Sequence, residues 1–497
     1  MLGVTGGTDG PRGAEVDYAS PLECDVAIVG AELSGLIAGA ILARHGRRVA
    51  VVDAPPQVGG RGGSTRQRGY WLDCGHRAGR DVTDLEIGWS HGQEACREAG
   101  VQVRIREIDS QLRVHLLPEL PPRGPAPTCD GGFGPRGFLA LAREVFGLPE
   151  ALLPEFAKLL DRLGSASPEE RRAAVPVPLG AWLPEHVPDP RLRRAVLLLV
   201  KTIYCQYPER ASAGRIMGFL ALRDAGRATV TGFADDDEVG GMQGVIAPFA
   251  RALRERGGRI VLDHEPAEVL FDGPRATGVL ALSPGHLALE IRAARTIVAW
   301  PIWSALPLLP PERVDPELAE TSRRLEDHGT DAIGLAVALS RLPRLRSSGE
   351  RESHRGWNRL FAGPEREFLG GFHLPSLSSR RAAPEGKHLL HCLITRWLRK
   401  DERVAWAESR ATLAAVRAYL GTFYADFDEC VEWEARQLVA RPAVMGWFWA
   451  PVERHGVRVP GCDALYLANT TIESDAGPVD ISAHAGLAAA RAVLEDA

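Results

Sequence analysis

No apolar run in the sequence approaches the ~20 residues that a membrane span needs. The longest, Ala195 to Val200 and the proline-broken Ile297 to Leu309, have the length of buried core segments. There is no CxxC pair and no His/Cys cluster at metal spacing: the eight cysteines stand singly at 24, 74, 96, 129, 205, 392, 430 and 462. That excludes a disulfide scaffold or a zinc module, expects no metal, and leaves reduced core thiols of a cytoplasmic protein as the expectation. Lysine is scarce, at 158, 201, 387 and 400 only, so arginine supplies 59 − 4 = 55 of the basic residues, a codon effect of a GC-rich genome. Positive excess is missing too: a net charge of −5 gives no electrostatic case for a nucleic-acid partner. Residues 1–20 are glycine-rich and polar without the apolar stretch of a signal peptide, and read as a flexible N-terminal arm.

What is present is ordinary globular material, 497 residues with 45% hydrophobic and 25% charged, enough for two large domains or three small ones. The first informative segment runs from Cys24 to Ala54. Val26 to Val29 form a continuous apolar run that ends at Gly30, as a parallel strand buried on both faces requires. Leu33, Leu36, Ile37, Ala40 and Ile41 follow at helical spacing, Gly46 closes that helix, and Val49 to Val52 form a second strand ending at Asp53. A βαβ unit with an acid about 20 residues past its turn is the context of a dinucleotide fingerprint. Gly30 permits the tight turn, Gly35 permits close helix–strand packing, and the helix N-terminus with Ser34 offers amides to a pyrophosphate. Asp53 would accept from ribose hydroxyls and repel a phosphorylated ribose. Glu32 stands where the fingerprint has its central glycine. Either it turns outward beside a bound cofactor, or it folds over the helix N-terminus and uses those amides itself.

Directly after Asp53 come Gly59-Gly60-Arg61-Gly62-Gly63-Ser64 and then Tyr70-Trp71-Leu72-Asp73-Cys74-Gly75-His76. Here the chain resembles the FAD-dependent amine oxidase and phytoene desaturase superfamily, nearest in pattern to the phytoene-dehydrogenase-related group. Two further stretches carry the likeness. Gly240-Gly241-Met242-Gln243-Gly244 precedes an apolar helix and four short strands, and Leu465 to Thr470 precedes a final helix containing Gly486. The resemblance implies an α/β fold: a Rossmann-like FAD-binding domain (GR2-type) from residues 21–80, 235–305 and 450–497, and a mixed α+β substrate and lid domain from 81–234 and 306–449. It implies FAD held by Gly30, Glu32, Ser34, Gly35, Asp53, Gly60, Arg61, Gly62, Ala267 (at the adenine), Asn469, Thr470 and Ile481. Asn469-Thr470 replaces the family's Gly-Asp pair, a neutral substitute for a carboxylate.

The resemblance places His76, Asp480 and His484 near the flavin ring as candidate catalytic residues. Asp480 and His484 are four apart at a helix start, close enough to hydrogen-bond and tune a base. Each also reads as an ordinary helix-terminal acid, an ordinary polar histidine or, for His76, a structural position. Trp447, Phe448 and Trp449 could wall a substrate or pack in the core. His388 and His391 fall on opposite faces of a strand, which argues against a metal pair. No lysine falls in a segment matching the flavin-proximal lysine of amine oxidases. The expected function is an FAD-dependent desaturase or isomerase of a hydrophobic small molecule. The alternatives are a flavin-independent enzyme or binding protein on the same fold, and an amine or amino-acid oxidase. Peripheral membrane contact is compatible with the resemblance, and the sequence does not specify an oligomeric state.

Overall fold

The computed structural model describes residues 17–73, 89–108, 111–119, 126–132, 135–202, 207–224, 231–234, 236, 238–363, 365, 367–396, 406–444, 449–474 and 480–496. The chain opens with β1 (Leu22–Val29), α1 (Leu33–Arg44), β2 (Val49–Val52), β3 (Ser64–Gln67), β4 (Tyr70–Asp73), α2 (Ser90–Ala99), β5 (Ile105–Ile108), β6 (Gln111–Leu117) and β7 (Thr128–Gly132). A helical stretch follows: α3 (Pro135–Glu144), α4 (Leu153–Gly164), α5 (Pro168–Ala174), α6 (Leu179–His186), α7 (Pro190–Thr202) and α8 (Ala213–Asp224). The middle comprises β8 (Thr231–Ala234), α9 (Gln243–Glu255), β9 (Arg259–Val261), β10 (Glu265–Asp272), β11 (Arg275–Leu282), β12 (Ala288–Val298), α10 (Ile302–Ala305) and α11 (Pro316–Asp327). The last part holds β13 (Thr330–Leu339), β14 (Trp357–Ala362), β15 (Glu367–His373), β16 (His388–Arg396), α12 (Trp406–Phe423), α13 (Phe427–Cys430), β17 (Val431–Val444), β18 (Leu465–Leu467) and α14 (Asp480–Glu495).

Two seven-stranded sheets organise these elements. The first has the order β10-β11-β12-β1-β2-β9, with β18 also on β12. β1 runs parallel to β2 (Val26↔Val49, Val29↔Val52) and to β12 (Val29↔Val298), so the apolar run is hydrogen-bonded on both edges. Its faces are covered as well. Val26 and Ile28 pack with α1, α9 and α14, while Ala27 and Val29 pack with the β10–β12 meander and α10–α11. A strand so enclosed has no use for polar alternation, which is why the sequence shows none.

The second sheet has the order β17-β13-β16-β15-β14-β6-β7, antiparallel except for β14 on β6. One face carries Trp357, Phe361, Phe368 and Leu393 under the α3–α8 helices; the other carries Leu335, Val337 and Phe372 under α12. Within it β13 and β16 are antiparallel neighbours. The helix that covers it, α12, is described from Trp406 and continues to Phe423. A hairpin, β3–β4, reaches from the first sheet to the second, burying Tyr70 and Leu72 against Ala336, Ala338 and Leu389. Among the described residues no helix is long and apolar enough to cross a membrane.

Candidate functional site

The C-terminal ends of β1, β2, β12 and β18 converge, as ligand-binding ends of parallel strands do in open α/β sheets. Gly30 turns the chain there at φ +101° and donates its N–H to the Val52 carbonyl at 2.8 Å. A Cβ on Gly35 would stand 2.1 Å from the Gly30 oxygen, so only glycine lets α1 approach the turn. Glu32 is the N-cap of α1 with extended backbone, and its carboxylate makes no capping hydrogen bond. The reading in which Glu32 covers the helix amides is therefore overturned. The side chain lies instead across the turn on Gly60, where a Cβ would be 2.6 Å from Glu32 Cγ and 2.8 Å from Oε1.

Gly59 and Gly60 both take positive φ, and the Gly59 N–H donates to the Ala31 carbonyl at 2.8 Å, tying the glycine loop to the βα turn. Arg61 and Gly62 continue this loop as a single 3-10 turn. The start of α9 grips it from behind: the Met242 N–H donates to Ser64 Oγ at 2.8 Å and Gln243 Nε2 to the Val58 carbonyl at 2.8 Å. That contact explains why the Gly240-Gly241-Met242 segment accompanies the Gly-Gly-Arg segment in sequence.

Asp53 is 1% exposed and already accepts from the Ala31 N–H (2.8 Å), the Ala54 N–H (3.0 Å) and the Trp300 indole N–H (3.1 Å). Burial, reinforced by the negative charge of Glu32, pushes its carboxyl up to about 6. Trp300, which sequence reading missed, follows β12 and also touches Gly30, whose Cβ would meet Trp300 Cδ1 at 3.0 Å. The available signal was positional: Val298 pairs with Val29, so the residues after each arrive at the same sheet end. Ala267 sits at a β-bulge in β10, exposed, three residues past His264, whose N–H donates to the Asp53 carbonyl at 3.1 Å.

Asn469 follows β18 and is 1% exposed. Its Oδ1 accepts from Thr471 N–H (3.0 Å) and Oγ1 (2.5 Å), leaving Nδ2 a buried donor with no partner among the described residues. Thr470 beside it is half-buried, and Ile481 in the first turn of α14 is fully buried. Ser34 is also buried, and its carbonyl faces Gly486 of α14.

Asp480 does not pair with His484 as the helical spacing suggested. Its carboxylate accepts from the Gly92 N–H at 2.9 Å and meets His91 Nδ1 at 2.7 Å, so one acid at the start of α14 caps the start of α2. His484 instead puts its ring edge-on to His91, centroids 4.7 Å apart. His91 is a second residue the sequence did not disclose, because nothing local links it to Asp480, 389 residues away. Trp449 is 2% exposed and packs edge-to-face on Phe219 at 5.9 Å, a core position. His76, Trp447 and Phe448 lie outside the described residues.

The residues present fit an FAD. Glycines form the cradle, the α1 N-terminus is left uncapped by its own side chain, and the orphaned Asn469 amide is a donor suited to phosphate or hydroxyl oxygens. The comparisons agree. Residues 28–85 match the NAD(P)-binding Rossmann-like domain, and residues 106–494 match the flavin containing amine oxidoreductase family. Among solved structures, an oxidoreductase from Methanosarcina mazei is similar at 16% identity, covering 95% of this chain and 100% of its own, with TM-score 0.65. A putrescine oxidase variant is similar at 17% identity (96% and 100% covered, TM-score 0.64). Cyclohexylamine oxidase from Brevibacterium oxydans also has 17% identity (95% and 99% covered, TM-score 0.58). No curated protein sequence matches. With the cradle, the two-sheet architecture and a family match across most of its length, the chain belongs to the flavin-containing amine oxidoreductases.

Proposed function

We propose that the protein is an FAD-dependent oxidoreductase that removes an electron pair from a C–H bond of a hydrophobic small molecule, desaturating or isomerising it. The observation that carries this is the glycine cradle at the uncapped N-terminus of α1. Gly30, Gly35, Gly60, Gly62, Asp53 and Asn469 would hold the cofactor, which when bound supplies a two-electron acceptor. The Asp480–His91 pair is the candidate to take the proton: the carboxylate on Nδ1 orients the imidazole.

Two observations favour a hydrophobic substrate over an amine. Lys158 and Lys201 lie on α4 and α7, Lys387 is committed to Glu432 at 2.6 Å, and Lys400 lies outside the described residues. Trp449 lies in the core with Trp357, Phe361, Phe368 and Leu393 and is spent on packing, so it does not wall a cation. A flavin-independent role on the same fold draws on Glu32 lying against Gly60 and on the hydrogen bond that Asp53 already accepts from Trp300.

The test is a visible absorption spectrum of purified protein, repeated after incubation with excess FAD and desalting. Stoichiometric flavin bands, bleached anaerobically by a polyene or other apolar donor and not by putrescine, are the expected result. Bands bleached by the amine transfer the assignment to amine oxidation. No flavin in either sample refutes the cofactor.

A further inference from the structure

Away from the cradle, on the outer side of the β3–β4 hairpin, lies a cavity of about 700 Å³. Its walls are β3–β4, Glu238 of the segment leading into α9, and the stretch 376–388 that precedes and opens β16. The volume falls within the ~300–1,000 Å³ of small-molecule sites. The walls are fixed to each other. The Trp71 N–H donates to the Ala382 carbonyl at 3.1 Å, and the Trp71 indole lies on the backbone of Gly240, where a Cβ would be only 2.6 Å away. At the hairpin turn, a Cβ on Gly69 would meet Pro384 Cγ at 3.0 Å. On the far wall Ser376 Oγ accepts the Leu389 N–H at 3.1 Å and meets His388 Nδ1 at 3.2 Å.

The charges in this cavity are unequal. Lys387 is committed to Glu432 and Glu238 to Arg251, both outside the lining. Arg66 and Arg380 have no carboxylate partner among the described residues, and Glu385 is likewise without a cation. Guanidinium groups present flat, paired donors that match the oxygens of a phosphate or carboxylate. With Arg66 and the Trp71 indole on the hairpin wall and Arg380 on the facing stretch, the cavity is suited to a molecule carrying more than one negative charge.

We propose that this cavity binds a small organic polyanion of nucleotide size, held by Arg66 and Arg380, at a site separate from the FAD cradle. The ligand class is set by the charge balance and the volume, and a phosphate ester or a polycarboxylate would satisfy both.

Calorimetric titration of the full chain with AMP, inorganic pyrophosphate and citrate tests this. The expected result is saturable one-site binding of at least one probe. It weakens tenfold or more in Arg66→Ala/Arg380→Ala, because two charge-assisted contacts are lost, and it tightens in Glu385→Gln, because a repelling charge is removed. All three positions are exposed, and equal melting temperatures of the variants establish that the fold is retained. Binding of AMP or pyrophosphate without citrate identifies phosphate as the recognised group, and citrate alone identifies carboxylate. Failure of all three probes, or AMP binding of equal strength in wild type and the double variant, as occupation of the cradle would give, overturns the proposal.

Discussion

At the scale of single residues, Glu32 decides how the cradle treats a phosphate. Its carboxylate lies on Gly60, close enough to the buried Asp53 to raise that carboxyl, so two acids share one end of the site. Glu32→Gly removes the charge that a pyrophosphate must approach. We expect FAD to bind about tenfold tighter in that variant, roughly 1.4 kcal/mol, with the Asp53 carboxyl falling toward its ordinary value. Fluorescence titration reads the first effect, and equal or weaker binding would show that the carboxylate is no obstacle. The glycines, Glu32 and Asp53 were legible in the sequence because a βα turn fixes its geometry locally. Trp300 and His91 were not, since each reaches its acid through pairing of segments more than 200 residues apart in the chain.

At the scale of elements, the contact of α1 with α14 sets the position of the cradle. A Cβ on Gly486 would lie 2.4 Å from the Ser34 carbonyl oxygen and 2.9 Å from Ile37 Cβ, both on the first turns of α1. Neither neighbour is the far end of a flexible chain, so Gly486→Ala must push the helices apart. A loss of about 1–3 kcal/mol in unfolding free energy is expected, together with weaker FAD binding as the start of α1 moves. Gly39→Ala is the control. Its added methyl meets Leu253 Cδ2 at 3.2 Å, a side-chain terminus that can give way, while the helix gains up to ~1 kcal/mol of propensity. Denaturant titration of both variants separates the two cases, and equal losses would mean that the crossing is slack. The elements themselves were readable where periodicity was strong, as in β1, α1 and α9. The edges were not. Where the sequence suggests only short strands, β12 is an 11-residue strand whose first half pairs with β11 and whose second half pairs with β18.

At the scale of the whole molecule, burial of ionisable groups in both halves determines the response to acid. His115 on β6, enclosed between Asn358 of the neighbouring strand and Tyr419 of α12, is pushed down to about 3 by burial, and His455, beside Thr471, to about 4. Both are neutral in the fold and protonate near pH 6.5 when unfolded, so their contribution is complete above that pH and is lost as pH falls. From pH 6.5 to 5 each removes about 2 kcal/mol. Asp53 works in the opposite sense: its raised carboxyl makes the fold bind the proton first, which returns about 1 kcal/mol over the same fall. Unfolding free energies at pH 7.5 and 5 should therefore drop in wild type and drop by less in His115→Gln. An identical drop would exclude His115 as a source of acid sensitivity.

The first sheet is also assembled from distant pieces of chain, with α1 beginning at Leu33 and α14 at Asp480. Every residue of α1 from Leu33 to Ala43 is buried, yet two of the helices that bury it, α9 and α14, are made hundreds of residues later. During synthesis this apolar rod waits exposed, a natural client for chaperones, and the cradle is complete only once β18 and α14 have emerged from the ribosome. Cofactor capture is then a late event in the life of the polypeptide. A translation arrest shortly before β18 would yield a chain carrying the whole fingerprint but lacking the surfaces that give it shape.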